Sequence, residues 1–183
     1  MSDPKHIHDA AKNILWSGKG KGRLHVILDT ARDDIIYPEL VKAKLAKTSL
    51  FLGDRAKQLI SVAPYLAELD LDNPFSAWLI EKGWGKSWGI FAESEETFRT
   101  LRQHFRNLLH VSIEGKSVIF RFYDPRVFRR FLPTCDVDQL TSVFGPVRTY
   151  YVEGEDEGTM LQYSFSGTTL REHVISLDER YQF

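Results

Sequence analysis

Apolar residues in this chain alternate between strand-like and helix-like spacing, and this pattern divides the sequence into short elements. Residues 24–29 (LHVILD) form a nearly continuous apolar run, which predicts a central strand buried on both faces. The clearest helix is predicted over residues 95–109, where Phe98, Leu101 and Phe105 recur on one face, and Ser94 is its predicted cap. Strands and helices alternate up to residue 109, and hairpins and short helices follow.

Turn and cap residues place the remaining elements. Pro64 argues that the extended segment 62–69 is an edge strand. Asn73 and Pro74 predict the start of a helix that ends near Gly83. Further elements are a helix over 35–47 and a helix over 136–144, for which Asp136 and Gln139 form a capping-box-like pair. A hairpin of 109–113 with 117–123 and a second hairpin of 147–152 with 160–165 are also predicted.

This order of elements predicts an α/β (α+β) fold in a single domain with two lobes. The first lobe, about residues 23–109, contains a mixed sheet with flanking helices. The second lobe, about residues 110–183, is smaller and more antiparallel. Residues 1–22 are predicted to be a flexible N-terminal extension with a short helix near residues 10–16, because glycines alternate with lysines in GKGKG.

Composition narrows the class of protein. The 183 residues carry 24 lysines and arginines against 25 aspartates and glutamates, so attraction to nucleic acid or to an anionic membrane is not indicated. The single cysteine, Cys135, cannot form an intramolecular disulfide, which is typical of a reducing compartment. No apolar run approaches the roughly 20 residues that span a bilayer, and the N-terminus is not a secretory signal. We therefore expect a cytoplasmic protein.

One catalytic motif is present, but its context is unsuitable. Residues 85–89 (GKSWG) match G-x-S-x-G, in which a serine nucleophile stands on the turn from a strand into a helix. Around Ser87 the predicted order is a helix followed by a strand. Neither the histidines nor the acidic turn at 153–158 has the spacing of a metal site. We therefore expect no catalytic residues, no cofactor and no metal.

The stretch from Val118 to Pro133 (VIFRFYDPRVFRRFLP) joins a strand pattern to a two-sided helix. Asp124 and Pro125 predict the start of this helix. One arc is apolar and the opposite arc is basic; their members are Val127, Phe128, Phe131 and Leu132, and Arg126, Arg129 and Arg130. The basic arc suits either a solvated face or a docking surface for carboxylates, carbonyl oxygens or phosphates.

Three aromatic residues are candidates for the apolar part of a partner-binding surface. Trp84 and Trp88 flank a glycine turn and suit either core packing or a partner anchor. Tyr123 ends a predicted strand, where its side chain can reach a cleft. The candidate partner-binding residues are therefore Trp84, Trp88, Tyr123, Arg126, Arg129 and Arg130.

Several segments together resemble one known family. They are LDTARD (28–33), SLF (49–51), APYLAELD (63–70), PFSAWLIEKGWGKSWGIF (74–91), LRQHFRNLLHV (101–111), the stretch 118–133 and DQLTSVFGPV (138–147). In this order they are similar to the effector chaperones of bacterial type VI secretion, an adaptor family first catalogued as a domain of unknown function. The resemblance extends over about residues 24–152, and its most specific parts are FRFYDPRV and GWG-x-SWGIF.

The resemblance implies a binding protein without catalytic residues. Members of this family hold a toxic effector in the cytoplasm, contact its N-terminal region and promote its loading onto the trimeric spike protein of the secretion needle. The implied partners are therefore a secreted effector and the spike protein, without nucleic acid or membrane. Two other classes stay open, a serine hydrolase that uses Ser87 beside a histidine and a nucleic-acid-binding module that uses the arginine faces.

Overall fold

The computed structural model describes residues 4–17, 22–113 and 115–178. The helices of this part of the chain are α1 (Pro4–Trp16), α2 (Ile36–Lys42), α3 (Gly53–Gln58), α4 (Pro74–Gly83), α5 (Phe98–Leu108), α6 (Pro125–Phe131) and α7 (Val137–Phe144). Its strands are β1 (Arg23–Asp29), β2 (Lys47–Ser49), β3 (Pro64–Leu69), β4 (Gly89–Ser94), β5 (His110–Ile113), β6 (Lys116–Ile119), β7 (Thr149–Glu153), β8 (Thr159–Phe165) and β9 (Leu170–Ser176).

Seven strands form one sheet in the order β2-β3-β1-β4-β7-β8-β9. The central strand β1 is buried from Leu24 to Asp29, as its apolar run predicts. The α+β class is confirmed, but every pair of neighbouring strands described in this sheet is antiparallel, where a mixed sheet was predicted. α3 connects two antiparallel neighbours, β2 and β3. α2 and α4 instead connect strands that run parallel on either side of a third strand, which is β3 for α2 and β1 for α4.

The sheet does not stop at the predicted boundary between lobes near residue 109. β7 pairs with β4, with Tyr151 opposite Phe91, so the C-terminal strands extend the sheet that β1 begins. β5 and β6 form a separate two-stranded sheet. The predicted strand through Tyr123 ends at Ile119, and residues 120–123 lead directly into α6.

Helices cover both faces of the large sheet. On one face Trp84, after α4, stacks on Phe91 of β4, and α1 packs against α4. On the other face Phe98 of α5 lies against His25 of β1. Phe128 of α6 lies on that second face against β7. The sheet is therefore the middle of three layers.

Two local predictions need correction. Residues 4–16 are not a flexible extension, because Ile7, Ala11 and Leu15 are buried on one side of α1; residues 18–21 of the predicted linker lie outside the described residues. β3 is not an edge strand: it lies between β2 and β1, and Pro64 is its first residue, where a missing N–H is tolerated.

Two helix starts show how capping works in this fold. The capping box of Asp136 and Gln139 is confirmed at the start of α7. α5 begins three residues after the predicted start, because the Thr97 hydroxyl and not Ser94 accepts the Thr100 backbone N–H. Ser94 instead donates to the carbonyl oxygen of Pro146, 2.6 Å away.

Candidate functional site

Three segments that are distant in sequence meet at the C-terminal end of β1. The Asp29 carboxylate, 2% exposed, accepts a hydrogen bond from the Arg121 guanidinium at 2.5 Å and another from the Ala31 backbone N–H at 3.1 Å. The Asp29 backbone N–H donates to the Trp88 carbonyl oxygen at 2.7 Å. We call this meeting point the junction, defined by Asp29, Ser87, Arg121, Asp124 and Glu153.

Asp124 fixes the start of α6 within the junction. Its carboxylate accepts from the Arg126 backbone N–H at 3.0 Å and from the Arg126 guanidinium at 3.0 and 2.7 Å. Burial acts to raise the pKa of Asp124, but the hydrogen bonds from Arg126 outweigh it and hold that pKa below its usual value. A buried carboxylate thus stays charged and caps the helix.

Glu153 closes the junction from β7. Its carboxylate accepts the Ser87 backbone N–H at 2.9 Å. Burial raises the pKa of Glu153 to about 7, although this hydrogen bond acts in the opposite direction. The turn that it holds contains two residues with positive φ, Gly85 at +82° and Ser87 at +55°. Positive φ is unusual for a serine, so the Glu153 contact holds the turn in a conformation that costs free energy.

The helix and the strand around the serine of the G-x-S-x-G motif follow the predicted order. Ser87 stands between the end of α4 and the start of β4, so a helix precedes it and a strand follows. A nucleophile elbow requires the opposite order. What Ser87 contributes to the described contacts is its backbone N–H, which binds Glu153.

The three arginines of α6 differ in their surroundings. Arg126 is exposed but bound to Asp124. Arg129, with only 14% of its side chain exposed, donates to the carbonyl oxygens of Glu153 at 3.3 Å and Gly154 at 2.9 Å. Arg130 is exposed. Of these three arginines, Arg130 alone thus has a surface guanidinium that no contact within the described residues holds to the fold.

The predicted aromatic binding surface is buried. Trp84, Trp88 and Tyr123 are 5%, 2% and 4% exposed. The Trp84 indole N–H donates to the Glu157 carbonyl oxygen at 2.9 Å, and the Trp88 ring packs against Trp78 with 5.5 Å between centroids. Of the two roles open to the tryptophans, the structure therefore favours core packing, and Tyr123 is core as well.

A different apolar surface is open instead. It is a groove of about 620 Å³ between the end of α5, the β5–β6 hairpin and α7. Its apolar lining consists of Leu108, Val111, Phe120, Phe131 and Val143, and we call it the groove. Polar residues at its margin are Asn107, His110, Asp138, Gln139 and Ser142.

The groove adjoins the basic side of α6. Phe131, which packs edge-on against Phe120 with 4.7 Å between centroids, lines both the groove and a second, open depression. That depression, about 610 Å³, is lined by Asp124, Arg126, Val127, Arg129 and Arg130 as well. An apolar surface and a basic surface thus meet at one side chain.

The comparison with protein families bears on this arrangement. Residues 24–142 match the model of a domain of unknown function, DUF4123. This chain belongs to the DUF4123 family. The matched segment contains the residues that line the groove apart from Val143, and all of the junction apart from Glu153. The comparisons with curated proteins and with solved structures gave no match.

Sequence reasoning missed the groove in this DUF4123 protein and most of the junction. Asp29 and Arg121 are 92 residues apart, and Arg121 lies outside the strands, between β6 and α6, so no strand pattern indicates their contact. The available signal was the unusual position of an aspartate at the end of a buried strand, which must have a partner there. Leu108 and Phe120 carry no such signal.

Two further findings concern the described part of the DUF4123 chain. It contains no group of three or more histidine, cysteine, aspartate or glutamate side chains placed to hold a metal ion. No helix within it has both the length and the apolar character needed to cross a bilayer.

Proposed function

We propose that this DUF4123 protein is an adaptor that binds the N-terminal region of a type VI secretion effector in the bacterial cytoplasm and promotes its loading onto the spike protein. The resemblance of FRFYDPRV and GWG-x-SWGIF to effector chaperones supports this role. The observation that carries the proposal is the groove, an open apolar surface beside the basic face of α6.

The chemistry of the groove suits a protein partner. A chaperone covers apolar surface that its cargo otherwise exposes, and burial of that surface drives binding. Arg130 in the adjoining depression and Asp138 in the groove offer charges of opposite sign, so a cargo whose charges do not match leaves them unpaired. Affinity then comes from Leu108, Phe120 and Phe131, and selectivity comes from the charged border.

The junction supports a structural role more than a catalytic one. Asp29 and Asp124 are each bound to an arginine, and Glu153 is bound to a backbone N–H. A general base or nucleophile needs a side chain that faces substrate. We therefore propose that the protein is not an enzyme and works without a cofactor. The test is to measure hydrolysis of simple esters by the wild type and by Ser87→Ala. We expect both to hydrolyse them only at the background rate.

A binding experiment tests the adaptor proposal. The tagged protein is used to recover its partner from the native host, the partner is identified by mass spectrometry, and its purified N-terminal segment is titrated by calorimetry. We expect a negative heat-capacity change and binding that resists a chelator. Leu108→Gln should weaken binding at least about tenfold, because it places a polar group in the groove.

Val41→Gln is the matched control, because Val41 is an exposed apolar residue on α2, 52% exposed and outside the groove residues. Its affinity should equal that of the wild type. Arg130→Glu should weaken binding and change its salt dependence. Equal affinities for Leu108→Gln and wild type would exclude the groove, and export of this protein together with the effector would exclude the adaptor role.

A further inference from the structure

β9 is an edge strand with an unusually free outer side. It is the last strand of the seven-stranded sheet, seven residues long, and β8 is its one neighbour among the described strands. The four residues from Arg171 to Val174 are all exposed. Proteins commonly shorten, bend or cover such edges, because a free edge can pair with another chain. β9 is neither short nor interrupted by a bulge, and its exposed residues are not covered by the described part of the chain. Charged side chains are the one protective feature that it carries.

The register shows which backbone groups are free. The Leu177 N–H donates to the Gly158 carbonyl oxygen, and the Ser166 N–H donates to the Thr169 carbonyl oxygen. In an antiparallel pair, every second residue bonds to the neighbouring strand, so the odd-numbered residues of β9 bond to β8. The N–H and C=O groups of the even-numbered residues therefore point outward; these residues are Leu170, Glu172, Val174 and Ser176.

Side chains add a charge pattern to this free edge. Arg171 and His173 lie on one face of β9, and Glu172 and Val174 lie on the other. A strand that bonds to the even-numbered residues places its own residues opposite Arg171 and His173 in non-hydrogen-bonded pairs, where side chains are closest. Acidic side chains are therefore favoured in the added strand at the two positions opposite Arg171 and His173.

A second copy of the chain fits this edge poorly. In the antiparallel arrangement that overlaps all seven residues, His173 lies opposite His173 of the copy, and each Arg171 lies diagonal to the other chain's His173 on the same face. Shifting the overlap to place Glu172 opposite Glu172 pairs like charges directly, which destabilises a sheet. The register centred on Val174 pairs only residues 172–176 and leaves Arg171 outside the overlap. Charge and the extent of pairing together favour a different chain.

We propose that the free edge of β9 binds an extended segment of a partner protein as an additional antiparallel strand, with acidic side chains opposite Arg171 and His173. This mode of binding uses main-chain hydrogen bonds for affinity and alternate side chains for selectivity. No residue of β9 lines the groove, so the edge is separate from it, and β9 also lies outside residues 24–142, which the family model matches. It does not depend on the effector-loading role.

Amide hydrogen exchange measured by NMR tests the proposal residue by residue. The probe is the capped heptapeptide TVVEKEL, whose two glutamates fall opposite His173 and Arg171 in the antiparallel register. At ten times its Kd, the peptide should slow exchange of the Glu172 and Val174 amides about tenfold. The His173 and Ile175 amides, already bonded to β8, should change far less.

Two variants at one position separate edge pairing from other contacts. Val174→Pro removes an outward N–H but no bond to β8, and proline is tolerated on the outer side of an edge strand. It should abolish the slowing at Glu172, whereas Val174→Thr should retain it. The double variant Arg171→Glu/His173→Glu should lose the probe and bind TVVKKKL, in which only the two glutamates are changed to lysine and the lysine opposite Glu172 is kept.

Three results would overturn the proposal. Unchanged Glu172 exchange at several millimolar probe would mean that the charges only protect the edge. Equal slowing by a probe N-methylated at the amides that face β9 would exclude main-chain pairing. Slow exchange of the outward amides without probe, increasing with protein concentration, would assign the edge to a second copy of the chain.

Discussion

The junction and the groove use opposite kinds of residue for opposite purposes. At the junction, ionisable side chains are buried and each is bound: Asp29 to Arg121, Asp124 to Arg126, and Glu153 to the Ser87 backbone N–H. In the groove, ordinary apolar side chains such as Leu108 and Phe131 are left half-exposed. In this chain the chemically conspicuous residues hold the fold together, and inconspicuous ones form the open surface.

The energetic contrast follows from burial. Removing one member of a buried charged pair leaves the other without a partner in a medium of low dielectric constant, which destabilises the fold. Removing a half-exposed apolar side chain forfeits only part of its burial. Changes at the junction should therefore affect stability, and changes in the groove should affect binding.

Helix α6 serves both regions, and its two phenylalanines give the sharpest test of the contrast. Phe128 is fully buried against Tyr150 and Tyr163, with ring centroids 4.9 and 6.2 Å away. Phe128→Ala should lower the free energy of unfolding by about 3–5 kcal/mol in urea titrations. Phe131 is half-exposed at the wall of the groove. Phe131→Ala should therefore lower the free energy of unfolding by only about 1–2 kcal/mol, less than is expected for a fully buried phenylalanine. Equal losses would break the contrast.

The pH dependence of stability should report Glu153. Its pKa rises from 4.5 to about 7 on folding, so the folded chain binds more protons than the unfolded chain between these values. The contribution of Glu153 to the free energy of unfolding is therefore fully present below pH 4.5 and is lost as the pH rises to 7. The expected loss is about 3 kcal/mol.

Two buried histidines act in the opposite direction, so the test needs a difference measurement. Burial lowers the pKa of His104 to about 4 and also lowers the pKa of His25, so both remove stability as the pH falls below 6.5. Glu153→Gln keeps an acceptor for Ser87 but cannot titrate. Between about pH 5 and pH 8, wild type should lose about 2–3 kcal/mol more than this variant in urea unfolding. Identical slopes would contradict the burial of a titrating Glu153.

A single-atom change at Asp29 should give the next largest effect. Asp29→Asn places either an amide N–H₂ or a weaker acceptor toward Arg121. The free energy of unfolding should therefore fall by about 2 kcal/mol. Arg121 is half-exposed and can turn to water, which keeps the loss below that of a fully buried pair. Asp54→Asn, in an exposed pair with Lys57, is the control and should change stability by less than about 0.5 kcal/mol.

The arginines of α6 should give the smallest and most selective effects. Arg129→Gln loses hydrogen bonds to two carbonyl oxygens and should cost about 1 kcal/mol. Arg130→Gln should stay within about 0.5 kcal/mol of wild type by thermal unfolding. If the two variants lose equal stability, the basic face is uniform, as the sequence alone suggests.

Local patterns predicted elements well and surfaces poorly. The run LHVILD, the periodic apolar residues of α5 and the Asp136 capping box each depend on neighbours a few residues away, and all three appear in the fold. Strand order depends on distant partners, so the edge position expected for β3 is wrong and the pairing of β9 was not foreseen.

The predicted binding residues show the same limit. Tryptophans beside a glycine turn have the same sequence pattern whether they face solvent or the core, and here Trp78 and Phe91 cover them. Periodicity placed Phe131 with Phe128 on one apolar arc, but could not show that the surface opposite Phe131 is open. That depends on where α7 and the β5–β6 hairpin lie.

The pairing of β1 also has a consequence for how the chain acquires its structure. Both neighbours of this buried strand, β3 and β4, come later in the sequence, and β7 joins β4 only after the segment that contains α5, α6 and α7. During synthesis an apolar strand therefore leaves the ribosome well before the strands that will cover it. Because such non-local pairings require large loops to close, they slow folding and prolong the lifetime of aggregation-prone intermediates. A protein built in this way depends, while it is being made, on the same protection of apolar surface that we propose it gives to others.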